Sequence, residues 1–293
     1  MIAVPLPPPA GDTRPTSANA TSAPKGYVNT LYLDRTAQLM ARLKQRSVEL
    51  MLLKPGDRVL DLGCGPGTDT VALGREVGPT GQVHGVDYDE AMVAQANARA
   101  QAEGVGAWVS HHHASASALP WPTGFFDASR SERVFQHLLD PERAFDELLR
   151  VTKPGGPLVV IDGDWATLTI DSDETDIERR LVQFHAAQMM NNPFSGRRLY
   201  RMFRSRGLQD LDIDVQAVFL TDVALARQIL RLDQIAAEAL AAGVIDSEES
   251  RRWQASLTRA TASGHFFASA NAVMVSGRKA PRRAPSADGD VHA

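Results

Sequence analysis

Cysteine is nearly absent from this 293-residue chain, and the single Cys64 excludes an internal disulfide and a cysteine-rich zinc site. Such cysteine usage fits a reducing compartment, so cytoplasm is the expected location. No apolar run reaches the ~18 to 20 residues needed to cross a bilayer, and each hydrophobic stretch is interrupted by charge or glycine. No membrane span is therefore expected. An excess of positive charge is also missing: 31 basic residues face 35 acidic ones, a net charge of -4. Without a basic field, a nucleic-acid partner is not expected. What remains is 43% hydrophobic and 23% charged residues, the composition of a globular protein with material for a sizeable core.

Residues 1–24 carry a Pro-Pro-Pro run with many Ser, Thr, Ala and Gly and no apolar periodicity. They read as a disordered leader rather than a signal peptide, and residues 280–293 as a tail of the same kind. The domain expected between them covers residues 25–279.

Within it, strands and helices alternate. Leu39, Met40, Leu43, Leu50 and Met51 share one helical face, stopped by Pro55-Gly56. Strands are expected at 58–62, 82–87, 107–112, 125–130 and 157–161, and helices at 68–77, 90–103 and 141–152. Asp140-Pro141 caps the last of these helices. Beyond Ile161 the pattern predicts two helices within 162–207, a strand over 211–220 and one long helix over 222–242. A helix from the capping box Asp246/Glu249 to about 262 and a closing strand over 266–276 complete the chain. Such alternation implies an α/β fold with a parallel sheet covered on both faces and a ligand site at the carboxyl ends of the strands. The core, 58–161, is the expected cofactor-binding part, and 162–265 the expected acceptor-site helices and lid.

The segment Val59-Leu60-Asp61-Leu62-Gly63-Cys64-Gly65-Pro66-Gly67 carries the most information. Its glycines let the chain turn sharply and let a ligand approach the backbone. Twenty residues past Gly67, Asp87 ends the next strand, where a carboxylate accepts both hydroxyl hydrogens of a ribose. A dinucleotide fingerprint would need a glycine at 68, and Thr68 stands there. Asp61 would repel a pyrophosphate but could pair with an ammonium group. The ligand these residues describe is adenosine joined to an amino acid.

Five motifs occur in order: Asp61 to Gly67, Gly85-Val86-Asp87, Leu119-Pro120, Phe126-Asp127, and Arg150-Val151-Thr152-Lys153-Pro154-Gly155-Gly156. Together they resemble the class I S-adenosylmethionine-dependent methyltransferases, and within them the group similar to ubiquinone/menaquinone-biosynthesis methylases and their small-molecule relatives. The resemblance is strong over 35–165 and weaker over 166–279. It implies a Rossmann-like seven-stranded sheet, mostly parallel with an antiparallel last strand and extra helices after the fifth strand. It assigns Asp61, Gly63, Cys64, Gly65 and Gly67 to the methionine end of S-adenosyl-L-methionine, Asp87 to the ribose, and Tyr88 and Met92 to the adenine faces. Where such proteins carry an aspartate toward the adenine amino group, this chain has Ser115, so Ser115 or the Ala116 amide is expected to read the ring.

Arg130, Ser131, Glu132 and His137 follow the expected fourth strand, where the resemblance places the transferable methyl group. Arg130 is expected to touch the cofactor, and Glu132 and Asp164 to serve the reaction. His137 has two readings, a general base or a structural hydrogen bond. Methyl transfer from a sulfonium needs in-line positioning first and a base only for some acceptors. Asp162, Asp164 and Trp165 offer a carboxylate and an aromatic wall for an acceptor, or a capped loop with its tryptophan in the core. His111-His112-His113 suggests no metal site, because neighbours on a strand point to opposite faces. Arg197, Arg198, Arg201, Arg204 and Arg206 read as a solvated helix face, with an anionic carrier or RNA site as the alternative. The expected activity is methyl transfer to an O, N or activated C of a small biosynthetic acceptor, secondary-metabolite or quinone-like. The alternative is a protein of this fold with another role, such as a cyclase or a non-catalytic binding module. No Pro-Pro-aromatic motif of nucleic-acid N-methylation follows the fourth strand. A homodimer is an admissible assembly.

Overall fold

The computed structural model describes residues 38–281; the leader over 1–24 and most of the tail lie outside the described residues. Helix α1 (Ala41–Leu50) precedes β1 (Arg58–Leu62), α2 (Thr68–Val77), β2 (Gln82–Asp87), α3 (Glu90–Ala102), β3 (Val109–His113) and β4 (Ala128–Glu132). A 3-10 turn (Phe135–His137), α4 (Pro141–Val151) and β5 (Pro157–Ile170) follow. The remainder is α5 (Thr175–Met189), α6 (Ser195–Ser205), β6 (Gln209–Leu220), α7 (Val223–Ile229), α8 (Leu232–Ala241), α9 (Ser247–Ser263) and β7 (Ala268–Arg278).

The seven strands form one sheet in the order β3-β2-β1-β4-β5-β7-β6. The first five are parallel, whereas β7 runs antiparallel to both β5 and β6. The chain steps from β1 outward to β3 and returns to the other side of β1 as β4. Its direction of winding therefore reverses between β1 and β4, and the crevice at their carboxyl ends is where such sheets hold ligands.

Strand alternation sorts the core onto two faces. Leu60, Leu62, Val86, Phe126, Phe145, Leu148, Val160 and Phe203 bury one face under α4 and α6. Val59, Val71, Leu73, Val83, Val109, Val159 and Met274 bury the other with Met40 and Leu43 at α1. A separate apolar cluster joins the far ends of β5, β6 and β7 to the later helices through Leu168, Ile170, Leu181, Leu220, Ile229, Trp253 and Leu257.

Three expected boundaries are corrected. β4 spans 128–132 rather than 125–130, because its Ser-Arg-Ser-Glu side chains find partners inside the sheet: Ser129 Oγ lies 2.7 Å from Thr152 Oγ1, and Ser131 Oγ donates to the Leu62 carbonyl at 3.0 Å. β5 continues to Ile170, nine residues past its expected end, since β7 supplies an antiparallel partner along that length. The long helix over 222–242 is two helices separated at Arg231, whose φ is +52°. Ile229, Leu230, Leu232 and Ile235 are all buried, and their helical positions are spread too widely around the axis for one straight helix to bury them on a single face.

Candidate functional site

The carboxyl ends of β1 and β4 hold a cluster of buried charges. Asp61 and Arg130 are register partners across these strands, so their side chains emerge on the same face. Arg130 is 1% exposed, and its Nε lies 3.6 Å from Asp61 Oδ1 without a hydrogen-bond partner. Its Nη2 donates to Glu132 Oε2 at 2.6 Å and to Asp69 Oδ2 at 3.4 Å. From α1, Lys44 Nζ closes the cluster, 2.6 Å from Asp69 Oδ2 and 3.1 Å from Glu132 Oε2. Burial raises the Asp61 carboxyl to about 6, against the pull of Arg130. Asp69 goes the other way: burial opposes its charge, but Arg130 and Lys44 bring it down to about 2. The pair thus separates into a carboxylate held ionised and one poised near neutrality.

Beside this cluster the chain turns through Gly63, Gly65 and Gly67, at φ of +78°, +51° and +78°. A Cβ on Gly63 would lie 2.0 Å from Val134, so only glycine fits there. The loop hangs on β2: Gly63 N and Cys64 N donate to the Val86 carbonyl at 2.7 and 2.9 Å, and Gly65 N donates to Asp87 Oδ2 at 2.8 Å. The other Asp87 oxygen accepts from Asp89 N at 3.0 Å. Each carboxylate oxygen keeps a further lone pair. Cys64 is buried, which raises its thiol, and its side chain takes no exposed position. Met92 is buried, whereas Tyr88 is 58% exposed with its ring edge-on to His113 at 6.2 Å. Ser115 is exposed and Ala116 half-buried, both on the turn after β3.

A left-handed cradle of backbone, a buried carboxylate beside it and a partly free carboxylate at the tip of β2 form the donor and acceptor set of an adenosine carrying an amino acid. The residues present fit S-adenosylmethionine.

On the far side of β4 lies a cavity of about 670 Å³, counting space open at its mouth. Its walls are mostly hydrocarbon: Leu39 and Met40 beside α1, Leu168 of β5, Val218 and Leu220 of β6, Ile229 and Leu230 at the end of α7, and Ala268, Ala270 and Ala272 of β7. Arg133, Gln136, Asp164 and Asn271 contribute polar groups. Arg133 leaves β4 at a positive φ of 56° and also lies 3.4 Å from Glu132, so it joins the cavity to the charge cluster. Asp164 is 5% exposed; its Oδ2 accepts from Arg197 Nε at 2.6 Å, while its Oδ1 has no hydrogen-bond partner.

Gln136, rather than His137, reaches the cavity wall. The indole Nε1 of Trp165 can only donate, and it donates to Gln136 Oε1 at 2.8 Å. Gln136 Nε2 therefore turns to His137 Nε2, 3.0 Å away, and that ring nitrogen accepts its hydrogen. The turn itself is anchored by Asp162, fully buried, which accepts from Gln136 N at 2.9 Å and from Ser195 Oγ at 3.0 Å. Burial raises Asp162 to about 7. Trp165 stacks on His185 at 5.6 Å, and burial lowers that imidazole to about 4, so the stack is uncharged at neutral pH.

Asp61, the glycines, Asp87, Arg130 and Glu132, all expected at the site, lie together at the carboxyl ends of β1, β2 and β4. Lys44 and Asp69 join them with nothing in their local sequence to mark them, and Gln136 lines the cavity with only its place beside His137 as a signal. From the expected acceptor-site segment 162–265, the cavity takes residues of β5, β6 and the end of α7, whereas Leu199, Met202 and Phe203 of α6 belong to the central core. Of the arginine stretch, Arg197 binds Asp164 and Arg206 binds Glu142 and Asp146, while Arg198, Arg201 and Arg204 are exposed. No helix of the described residues is long and apolar enough to cross a membrane.

Residues 60–160 match the family model described as "Methyltransferase domain". The chain is 36% identical over 253 residues to an uncharacterized 37.1 kDa protein in transposon TN4556 of Streptomyces fradiae, covering 85% of this chain and 71% of that protein. It is 40% identical over 121 residues to the demethylmenaquinone methyltransferase of Thermus thermophilus, covering 41% of this chain and 54% of that one. The chain spans about half the length of the quinone methyltransferases it matches. Among solved structures, a putative methyltransferase from Bacillus halodurans C-125 shares the fold at a TM-score of 0.59, 16% identity and coverage of 81% of this chain and 98% of that one. The [4+2]-cyclase SpnF shares it at a TM-score of 0.51 and 23% identity, covering 82% of this chain and 80% of that one. Likeness at these identities establishes the fold alone, and the sequence matches carry the rest. The five ordered motifs, the sheet order and the methyltransferase-domain match agree: this chain belongs to the family of S-adenosylmethionine-dependent methyltransferases.

Proposed function

We propose that the chain transfers the methyl group of S-adenosylmethionine to an O, N or activated C of an uncharged, largely apolar small biosynthetic molecule, secondary-metabolite or quinone-like. The cavity carries this reading. Its hydrocarbon wall suits an apolar body, its few polar groups suit orientation, and Arg133 connects it to the charge cluster at the methionine end. The cofactor, when bound, supplies a methyl group already activated by its sulfonium.

In this reading Asp61 takes the ammonium of the methionine moiety, Gly63 to Gly67 present backbone to it, and Asp87 takes the ribose hydroxyls. Tyr88 and Met92 flank the adenine, with Ser115 or the Ala116 amide at its edge. Glu132 holds Arg130 in place. Asp164, with one oxygen unpartnered at an apolar wall, accepts a hydrogen from a hydroxyl or amide of the acceptor. Arg197 already neutralises its charge and the rest of the wall is mostly hydrocarbon, so neutral acceptors are favoured over charged ones. His137 serves as the support of Gln136, since its Nε2 is already an acceptor, and positioning supplies the catalysis. A different role for the fold, such as cyclisation, gains no support from the named sequence relatives, which are methyltransferases.

The test is methyl transfer from labelled S-adenosylmethionine into fractions of a producing-cell extract, with the mass of any co-purified small molecule read in parallel. Label entering a neutral, organic-extractable product supports the reading. Label confined to phosphorylated or nucleic-acid fractions would refute it.

A further inference from the structure

The run His111-His112-His113 has a use the reaction does not absorb. His112 faces one side of the sheet, its Nε2 3.1 Å from His84 Nδ1, and His113 meets Tyr88. His111, 6% exposed, points the other way, beneath the glycine loop. Two glycines make room for its ring: a Cβ at Gly85 would fall 2.5 Å from His111 Cδ2, and one at Gly67 would fall 3.2 Å from His111 Nε2. That nitrogen is 2.7 Å from Thr70 Oγ1, which is itself 2.9 Å from the Gly67 carbonyl.

The opposite ring nitrogen is held by Asn97. Asn97 Nδ2 donates to the His111 carbonyl at 3.3 Å and Asn97 Oδ1 accepts from His111 N at 3.0 Å, which fixes the amide with its oxygen toward Nδ1, 3.0 Å away. Nδ1 therefore carries the hydrogen. Burial lowers the ring to about 4, so at neutral pH Nε2 keeps its lone pair. The one Thr70 hydroxyl hydrogen then has two acceptors within reach, Nε2 at 2.7 Å and the Gly67 carbonyl at 2.9 Å, and the shorter contact ties the first turn of α2 to His111.

Glycines accept many backbone conformations, so the shape of this loop in the free protein depends on what grips it. β2 grips its first half, through Val86 and Asp87. Its last residue, Gly67, opens α2, whose first turn His111 holds through the Thr70 hydroxyl. We propose that His111 is a positioning residue for cofactor binding, holding the glycine loop through Thr70 in the left-handed conformation that receives S-adenosylmethionine. The inference rests on the reading of residues 63–67 as the cofactor cradle. Releasing the grip lowers the fraction of protein in the competent conformation, and apparent affinity falls in proportion.

The experiment is calorimetric titration of the full chain with S-adenosylmethionine, with thermal unfolding of each variant measured alongside. Thr70→Val keeps the shape and removes the hydroxyl; His111→Phe keeps the wedge and removes the nitrogens; Thr70→Ser restores the hydroxyl. Each of the first two is expected to raise Kd about 3- to 10-fold, the size of one lost hydrogen bond. The double variant should be no weaker than the weaker single one, and Thr70→Ser should stay within about twofold of wild type. Multiplicative effects in the double variant, or a lowered Tm with unchanged Kd, would overturn the inference in favour of plain packing. If His111→Phe does not fold, the contrast of Thr70→Val with Thr70→Ser decides: equal affinities refute the proposal. Failure of the folded wild-type chain to bind S-adenosylmethionine at all would instead overturn the cofactor reading beneath it.

Discussion

Asp61 gives the sharpest prediction, because its charge should be linked to cofactor binding. In the free protein its carboxyl is raised to about 6 by burial, with Arg130 opposing and Asp69 and Glu132 adding to the rise. An ammonium beside it stabilises the ionised form. If the bound state returns the carboxyl to about 3.9, its ordinary value, the two states differ by about 2 units. Binding should then be strong above pH 6 and weaken on acidification, by about 50-fold if followed down to pH 4. At pH 5 the free group is about nine-tenths protonated and the bound group under a tenth, so about 0.8 protons should be released per cofactor bound. The α-amino group stays protonated below about 7.7, so acidification from pH 7 to 4.5 chiefly changes the protein. Calorimetry in two buffers of different ionisation enthalpy counts the protons directly. Asp61→Asn should bind more weakly at pH 7 and show no such slope. An affinity that is flat from pH 7 to 4.5, or a slope that persists in Asp61→Asn, would refute the reasoning. The same raised pKa makes ionised Asp61 cost the free fold about 3 kcal/mol above pH 6, a cost that vanishes toward pH 4. Asp69, lowered to about 2, contributes stability that is lost only below its ordinary value near 3.8.

Three further outcomes are expected. Asp87→Ala leaves the Gly65 and Asp89 amides without their charged acceptor as well as removing the ribose ligand, so S-adenosylmethionine affinity should fall about 10- to 150-fold by calorimetry; wild-type affinity in a folded variant would dismiss the assignment. Asp162, raised to about 7 by burial, makes the fold more stable at pH 5 than at pH 8, and Asp162→Asn should shrink that difference by about 2.5 kcal/mol in urea unfolding at the two pH values. His137→Ala should lower turnover by less than about tenfold once an acceptor is in hand, because Gln136 occupies its Nε2; a loss of about 10² to 10⁴ that recovers at high pH would identify it as the base after all.

Local sequence determined most of the cofactor half. Glycine spacing after an apolar strand, a carboxylate at the next strand end and an Asp-Pro helix start are short-range signals, and the elements 58–62, 68–77 and 82–87 stand where they place them. Tertiary structure decided what periodicity cannot carry. The central strand Ala128–Glu132 has almost no apolar pattern, and it is buried because Asp61, Thr152 and the Leu62 carbonyl lie across from its polar side chains. Lys44 belongs to the site only because α1 crosses the sheet there, and β5 extends to Ile170 only because β7 returns antiparallel beside it. The choice of Gln136 over His137 at the cavity wall rests on a hydrogen bond to Trp165, 29 residues away along the chain. Motifs record how a chain turns and what its backbone can approach; which distant side chains meet depends on packing, and the apolar cavity is built almost entirely from such meetings.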